Sequence, residues 1–251
     1  MKTPFDLTGK KILVAGVSDM IGHATCRQLS LMGASLFIID SQPVVLQDVF
    51  GSFGATNVEC KFFDIYDSHI MDRELKEIIK STGPFNGFVF TAGKGGVKPL
   101  PFTKQEFLKE MMYYNTFTFI EMVRILSKKN AFSKGGSMVA LSSVSSIRGI
   151  KAKTAYCASK AALDASIRAM ALELADKKIR INSIIKGWVS SDMEKDFIQS
   201  SIHLSENSDF NKQVLGVIEP DELANTAAFL LSDATTSITG TSIVLDGGYS
   251  I

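Results

Sequence analysis

A tyrosine and a lysine stand four residues apart in Tyr156-Cys157-Ala158-Ser159-Lys160. The stretch around them is rich in Ala and Leu and favours helix. One helical turn then stacks an ammonium beside a phenol. A free phenol titrates near pH ~10 and is a poor proton carrier at neutral pH. A cation at ~4 Å, in an effective dielectric of ~20, favours phenolate by ~4 kcal/mol, or about 3 pK units. That shift brings the tyrosine into the range that general acid–base catalysis needs. Alone, the pair specifies little, because the same spacing recurs on solvated helix faces.

The element that would bring a cofactor to such a pair lies near the N-terminus. Lys11-Ile12-Leu13-Val14-Ala15-Gly16-Val17 is an apolar run of strand length. Ser18-Asp19-Met20-Ile21-Gly22 follows, then a helical pattern through Ala24, Cys26, Leu29 and Met32 that Gly33 stops. A second apolar run, Ser35-Leu36-Phe37-Ile38-Ile39, ends in Asp40. Strand, glycine turn, helix, strand and acid form the layout of a dinucleotide-binding βαβ unit. The turn lets backbone approach a pyrophosphate, and the helix N-terminus offers unpaired N–H groups to it. Asp40 lies 18 residues after Gly22, where a ribose diol can donate to it, although a turn role before Pro43 is also open.

Taken together, the motifs resemble those of the short-chain dehydrogenase/reductase family over essentially the whole chain. Ala15-Gly16-Val17-Ser18-Asp19-Met20-Ile21-Gly22 is similar to its Thr-Gly-x-x-x-Gly-Ile-Gly turn. Asp64-Ile65 is similar to its adenine-contacting pair, and Thr91-Ala92-Gly93 to its Asn-Ala-Gly. Asn115 stands where the family keeps a catalytic asparagine. Ser142-Ser143 ends a strand expected over Ser137 to Leu141, with Ser143 13 residues before Tyr156. Asn182-Ser183-Ile184-Ile185-Lys186-Gly187 resembles Asn-x-Ile-x-Pro-Gly, and Leu245-Asp246-Gly247-Gly248 resembles the C-terminal ending.

The resemblance implies an NAD(P)-dependent oxidoreductase that interconverts an alcohol and a carbonyl. It implies that Tyr156 passes a proton to or from the substrate oxygen. Lys160 depresses the tyrosine and holds the nicotinamide ribose. Ser143 hydrogen-bonds the substrate oxygen, with Ser142 as the adjacent strand-end residue. Asn115 holds a water that links Lys160 to solvent, or else is a buried structural asparagine. The implied cofactor contacts are Gly16, Ser18, Asp19, Met20, Ile21, Gly22, Asp40, Asp64, Ile65, Ala92, Gly93, Tyr156, Lys160, Gly187, Val189 and Ser191. Asp40 repels a 2′-phosphate, Asp19 is acidic where NADP-preferring relatives often carry a base, and Ser41 and Gln42 bring no charge, so NAD(H) is favoured over NADP(H).

Composition fits this reading. A chain of 251 residues can form one α/β domain with a large core. Lys plus Arg is 27 and Asp plus Glu is 26, so the net charge of +1 gives no reason to expect nucleic acid or an anionic membrane as partner. Cys26, Cys60 and Cys157 are scattered, as in a reduced cytoplasmic protein. His23, His69 and His203 lack metal-ligand spacing, so no metal is expected. No apolar run reaches ~18 residues and the first eleven lack a signal-peptide stretch. Strands alternating with helices from Lys11 to Asp246 predict a single doubly wound Rossmann-type domain, residues 1–251, with a mostly parallel sheet flanked by helices on both faces. Residues 190–210, rich in Ser, Asp and Glu, break the rhythm as a substrate lid or a surface helix and loop.

Two departures from the family pattern stand out. Met20 replaces the second glycine, which costs roughly 1–2 kcal/mol if the position needs φ > 0, unless the loop is re-routed. Lys186 replaces proline and puts a flexible cation near the nicotinamide. They leave room for a non-catalytic dinucleotide-binding or scaffolding protein as the alternative. Lys94, Lys98, Arg148, Lys151, Lys153 and Lys186 gather around the inferred substrate side, with Lys94 and Lys186 as candidate substrate contacts. A cleft of one sign draws the opposite sign, so an anionic substrate is expected unless several of these bases face solvent. Ala158, Ala161, Ala162, Ala165 and Ala169 permit close helix approach, in a homotetramer or homodimer or against the sheet.

Overall fold

The computed structural model describes residues 3–42, 49, 57–190 and 212–251. Its frame is seven parallel strands in the order β3-β2-β1-β4-β5-β6-β7. They are β1 (Lys11–Ala15), β2 (Ser35–Asp40), β3 (Val58–Phe62), β4 (Phe85–Phe90), β5 (Phe132–Ser143), β6 (Arg180–Lys186) and β7 (Ser242–Leu245). The order reverses direction between β1 and β4, which opens a crevice at the carboxyl ends of the strands. The expected doubly wound parallel sheet is therefore present. β5 is longer than the apolar run Ser137 to Leu141 because it begins at Phe132, before a register shift against β4 between Phe85 and Gly87.

The strands are apolar on both faces because both faces are covered. Leu13 and Ala15 join Phe37, Phe88, Phe119, Leu163 and Ile167 in one core, beneath helices α2 (Ser68–Thr82), α4 (Thr118–Leu126) and α5 (Thr154–Leu174). Ile12 and Val14, one residue out of phase, join Ile38, Val89, Leu223 and Leu230 in the other, beneath α1 (Met20–Leu31) and α6 (Pro220–Leu231). A shorter helix, α3 (Gln105–Met112), runs into a π-helical turn, Tyr113–Phe117, before α4. Of the expected lid at 190–210, only Ser190 falls within the described residues, and the rest lies outside them.

Gly16 has φ +89°, and a Cβ there would stand 2.4 Å from the Ala92 nitrogen. The chain can leave β1 so sharply, against the end of β4, only with glycine at this place. Met20 departs from expectation in a favourable way. It is the first residue of α1, and the non-glycine residues with positive φ among those described are Asn130, Ala152 and Lys178. Met20 thus carries no left-handed strain. Asp19 caps the helix instead, its carboxylate accepting from the Gly22 N–H at 2.8 Å.

Candidate active site

Three consecutive residues at the end of β5 organise the site. The Leu141 carbonyl accepts from the Lys160 ammonium at 2.9 Å. The Ser142 hydroxyl donates to the Asp164 carboxylate at 2.9 Å. Ser143 faces a cleft of about 520 Å3 that Tyr156 and Lys160 also line. Sheet register then places Lys186 directly beside Ser143 on β6.

Helix α5 presents Tyr156 and Lys160 on one face, as the four-residue spacing demands. The Lys160 ammonium lies 5.9 Å from the centroid of the Tyr156 ring. Lys160 is only 5% exposed. Burial holds its ammonium down at about 8; the Lys186 charge pushes the same way and the Asp164 charge pulls back. The lysine is thus poised to lose or keep its proton near working pH.

Asn115 sits in the π-helical turn, fully buried. Such turns insert one residue into a helix and re-aim a side chain. Its carboxamide accepts from the Lys94 N–H at 2.9 Å and donates to the Lys94 carbonyl at 3.0 Å and to Ser159 Oγ at 3.1 Å. Both amide protons of the side chain are therefore donated to protein groups. A Cβ on Gly93 would meet Asn115 Oδ1 at 2.7 Å and Lys160 Nζ at 3.5 Å. Gly93 is what lets the end of β4 approach both side chains.

The cofactor candidates fall into two groups. Asp19, Ile21, Ala92, Gly93 and Gly187 line the same cleft as Tyr156 and Lys160. Asp64 lines a neighbouring hollow with Ser41, Tyr66 and Tyr114. Burial and the charge of Asp40 push the Tyr66 phenol up, so the field of Asp40 reaches that hollow. Asp40 itself is 3% exposed and accepts from Val17 N–H at 2.6 Å and Gln42 N–H at 3.1 Å. It ties the glycine turn to the end of β2. Ile65 and Val189, by contrast, put their side chains into the two cores. Ser18 is exposed beside the turn, and Ser191 lies outside the described residues. The tight Gly16 turn, the α1 N-terminus and the acid at the end of β2 together fit a dinucleotide.

Of the basic residues, Lys153 and Lys186 line the cleft. Lys153 Nζ lies 5.0 Å from the Trp188 ring and 5.8 Å from the Tyr156 ring. Lys94 also borders the cleft, but its ammonium pairs with Glu110 at 2.6 Å. Lys98 stacks on Phe107 and Arg148 donates to the Tyr249 carbonyl, so neither serves the cleft. Burial pushes the Asp19 carboxyl up, against its Gly22 hydrogen bond and the Lys186 charge. Sequence reasoning missed Trp188, Ser145, Tyr66 and Asp164. Trp188 carried one signal, as the only tryptophan, next to Gly187. Ser145 Oγ is buried in the cleft wall, with no hydrogen-bond partner among the described residues.

Comparison with known proteins agrees with this geometry. Residues 16–250 match the family model described as enoyl-(acyl carrier protein) reductase. The chain is 29% identical to an L-xylulose reductase of Caenorhabditis elegans, over all of this chain and 99% of that protein. It is 27% identical to an NAD-dependent glycerol dehydrogenase of Listeria innocua, over 98% of this chain and 96% of that one. A crystal structure from Sinorhizobium meliloti, described as a putative short-chain alcohol dehydrogenase, superposes with a TM-score of 0.88 at 26% identity, covering 99% of each chain. The match spans both the dinucleotide turn and the Tyr156–Lys160 pair, and it does not favour a non-catalytic scaffold. The chain belongs to the short-chain dehydrogenase/reductase family and is an NAD(P)-dependent oxidoreductase acting on alcohols and carbonyls.

Proposed function

We propose that this enzyme uses NAD(H) and that Tyr156 is its proton donor and acceptor. The supporting observation is the buried Lys160 ammonium, fixed on the Leu141 carbonyl one helical turn from Tyr156 and at the same cleft as Ser143. In the direction of reduction, the Tyr156 hydroxyl gives its proton to the substrate carbonyl oxygen. The Lys160 cation stabilises the phenolate that remains. The Ser143 hydroxyl donates to the same substrate oxygen while negative charge develops there. When bound, the nicotinamide supplies or takes up the hydride. Lys160 orients its ribose, and the backbone at Ser18 to Gly22 and at Ala92, Gly93 and Gly187 holds the rest. Asn115 keeps Lys94 and Ser159 in place around the lysine and anchors the water path to Lys160.

The preference for NAD(H) rests on the negative field of Asp40 and Asp64 at the outer hollow, with no base at Ser41 or Gln42. One relative is itself named for NAD. For the substrate we favour a carbonyl compound with an anionic group, held by Lys153 and Lys186. A neutral polyhydroxy ketone is the second reading. It is favoured by the Ser145 hydroxyl in the cleft wall, which has no partner among the described residues, and by relatives named for xylulose and glycerol. We further infer a cytoplasmic homodimer or homotetramer, with no nucleic acid or membrane partner. Its support is the thiol state of Cys26, Cys60 and Cys157 and the outward face of α5.

The test is NADH oxidation against paired carbonyls that differ only in a carboxylate or phosphate, with NADPH alongside. Turnover with NADH and a higher kcat/KM for the anionic member is expected. Tight NADH binding with no turnover of any carbonyl contradicts the reading. Equal kcat/KM for the two members, or loss of the neutral one in Ser145→Ala alone, transfers the case to the polyol.

A further inference from the structure

Asp164 is a carboxylate buried to 5% exposure in the middle of α5. A buried carboxylate is costly unless something on the protein uses or satisfies its charge. Two hydroxyls satisfy it: Ser142 donates at 2.9 Å from β5 and Ser183 at 2.7 Å from β6. Ser242 on β7 in turn lies 2.8 Å from Ser183. Three adjacent strands therefore contribute to holding one charge in place. No arginine or lysine is bonded to it among the described residues, so the carboxylate is not half of a closed ion pair.

What it faces is the catalytic lysine. Asp164 follows Lys160 by one helical turn, on the same side of α5. Ser142, which holds Asp164, stands between Leu141, which holds Lys160, and Ser143. The charged or titratable groups around the Lys160 ammonium are Tyr156 on its own helix, Lys153 before it, Lys186 from β6, Asp19 from the glycine turn and Asp164. Among the described residues, Asp164 is the negative charge that raises the Lys160 ammonium.

We propose that Asp164 is a positioning residue that acts through Lys160. Its fixed charge, clamped by Ser142 and Ser183, keeps the lysine protonated against burial and against Lys186, and so sets the pH range in which Tyr156 works. This inference rests on the reading of Tyr156 and Lys160 given above. A negative charge raises the affinity of a neighbouring ammonium for its proton, so its removal moves Lys160 to lower pH, and Tyr156, deprived of its cationic neighbour, to higher pH.

The experiment measures Tyr156 directly and needs no substrate. The ultraviolet difference absorption of its phenolate is titrated by subtracting Tyr156→Phe, first in the natural chain and then in Asp164→Asn. The midpoint is expected to rise by about half a pH unit or more in Asp164→Asn. An unchanged or lowered midpoint in a folded variant overturns the proposal. Should Asp164→Asn not fold, the double variant Ser142→Ala, Ser183→Ala serves instead. It removes both donors, favours the protonated carboxyl and must move the midpoint in the same direction. The underlying reading is tested separately: if Tyr156→Phe retains turnover, that reading fails whatever the titration gives.

Discussion

At the scale of single residues, the decisive quantity is the charge of Lys160. Its ammonium is held near 8, below the ~10.4 of an unfolded lysine. Above that value the cation is lost, and with it the stabilisation of the Tyr156 phenolate. Carbonyl reduction followed as kcat/KM against pH should therefore show an alkaline limb with a midpoint near 8. The stability sign follows from the same shift. Between about pH 8 and ~10.4 the unfolded chain binds more protons at this lysine than the folded one, so this group makes stability rise through that window. Chemical denaturation across the window checks it. Lys186 gives a contrasting test. Its charge lowers Lys160, so Lys186→Ala should move the limb to higher pH while lowering kcat/KM for the anionic member of a substrate pair about tenfold. A limb that stays in place, with an anionic preference intact and insensitive to salt, would remove Lys186 from both roles.

Elements explain which parts of the site could be read ahead of the structure. The Tyr156–Lys160 pair was legible because four residues make one helical turn. The glycine turn was legible because strand, turn and helix each leave a local pattern. Asp164 was not, since its significance comes from Ser142 and Ser183, which only strand pairing brings to it. The pairing of Lys94 with Glu110 was hidden for the same reason. Met20 was misleading, because a family glycine suggested positive φ where the chain has already entered α1. Met20→Gly should therefore lower stability by up to about 1 kcal/mol through lost helix propensity and should not tighten NADH binding. Gly16→Ala is the opposite case. Its positive φ alone costs about 1–2 kcal/mol, and the added Cβ meets the backbone of Ala92. Denaturant titration and NADH fluorescence should report loss of both stability and affinity.

On the whole molecule, the alanines of α5 settle one question of direction. Ala158, Ala161, Ala165 and Ala169 are exposed, and Leu172 beyond them is 81% exposed, so this face does not pack on the sheet. With Phe102 and Phe117 also exposed nearby in sequence to α3 and α4, light scattering at micromolar concentration should report a symmetric oligomer. Leu172→Glu should lower the observed mass. Cofactor choice also belongs to this scale, because the proposed preference for NAD(H) rests on the summed field of Asp40 and Asp64 over the outer hollow. Side-by-side kinetics should favour NADH over NADPH by at least about tenfold in kcat/KM.

All of this depends on Tyr156 being the group that moves the proton. Tyr156→Phe removes one oxygen and leaves the fold and the dinucleotide crevice as they are. Turnover measured with saturating NADH should fall about 10³-fold, while the NADH dissociation constant stays within about twofold. Retention of most of kcat in this variant would contradict the account.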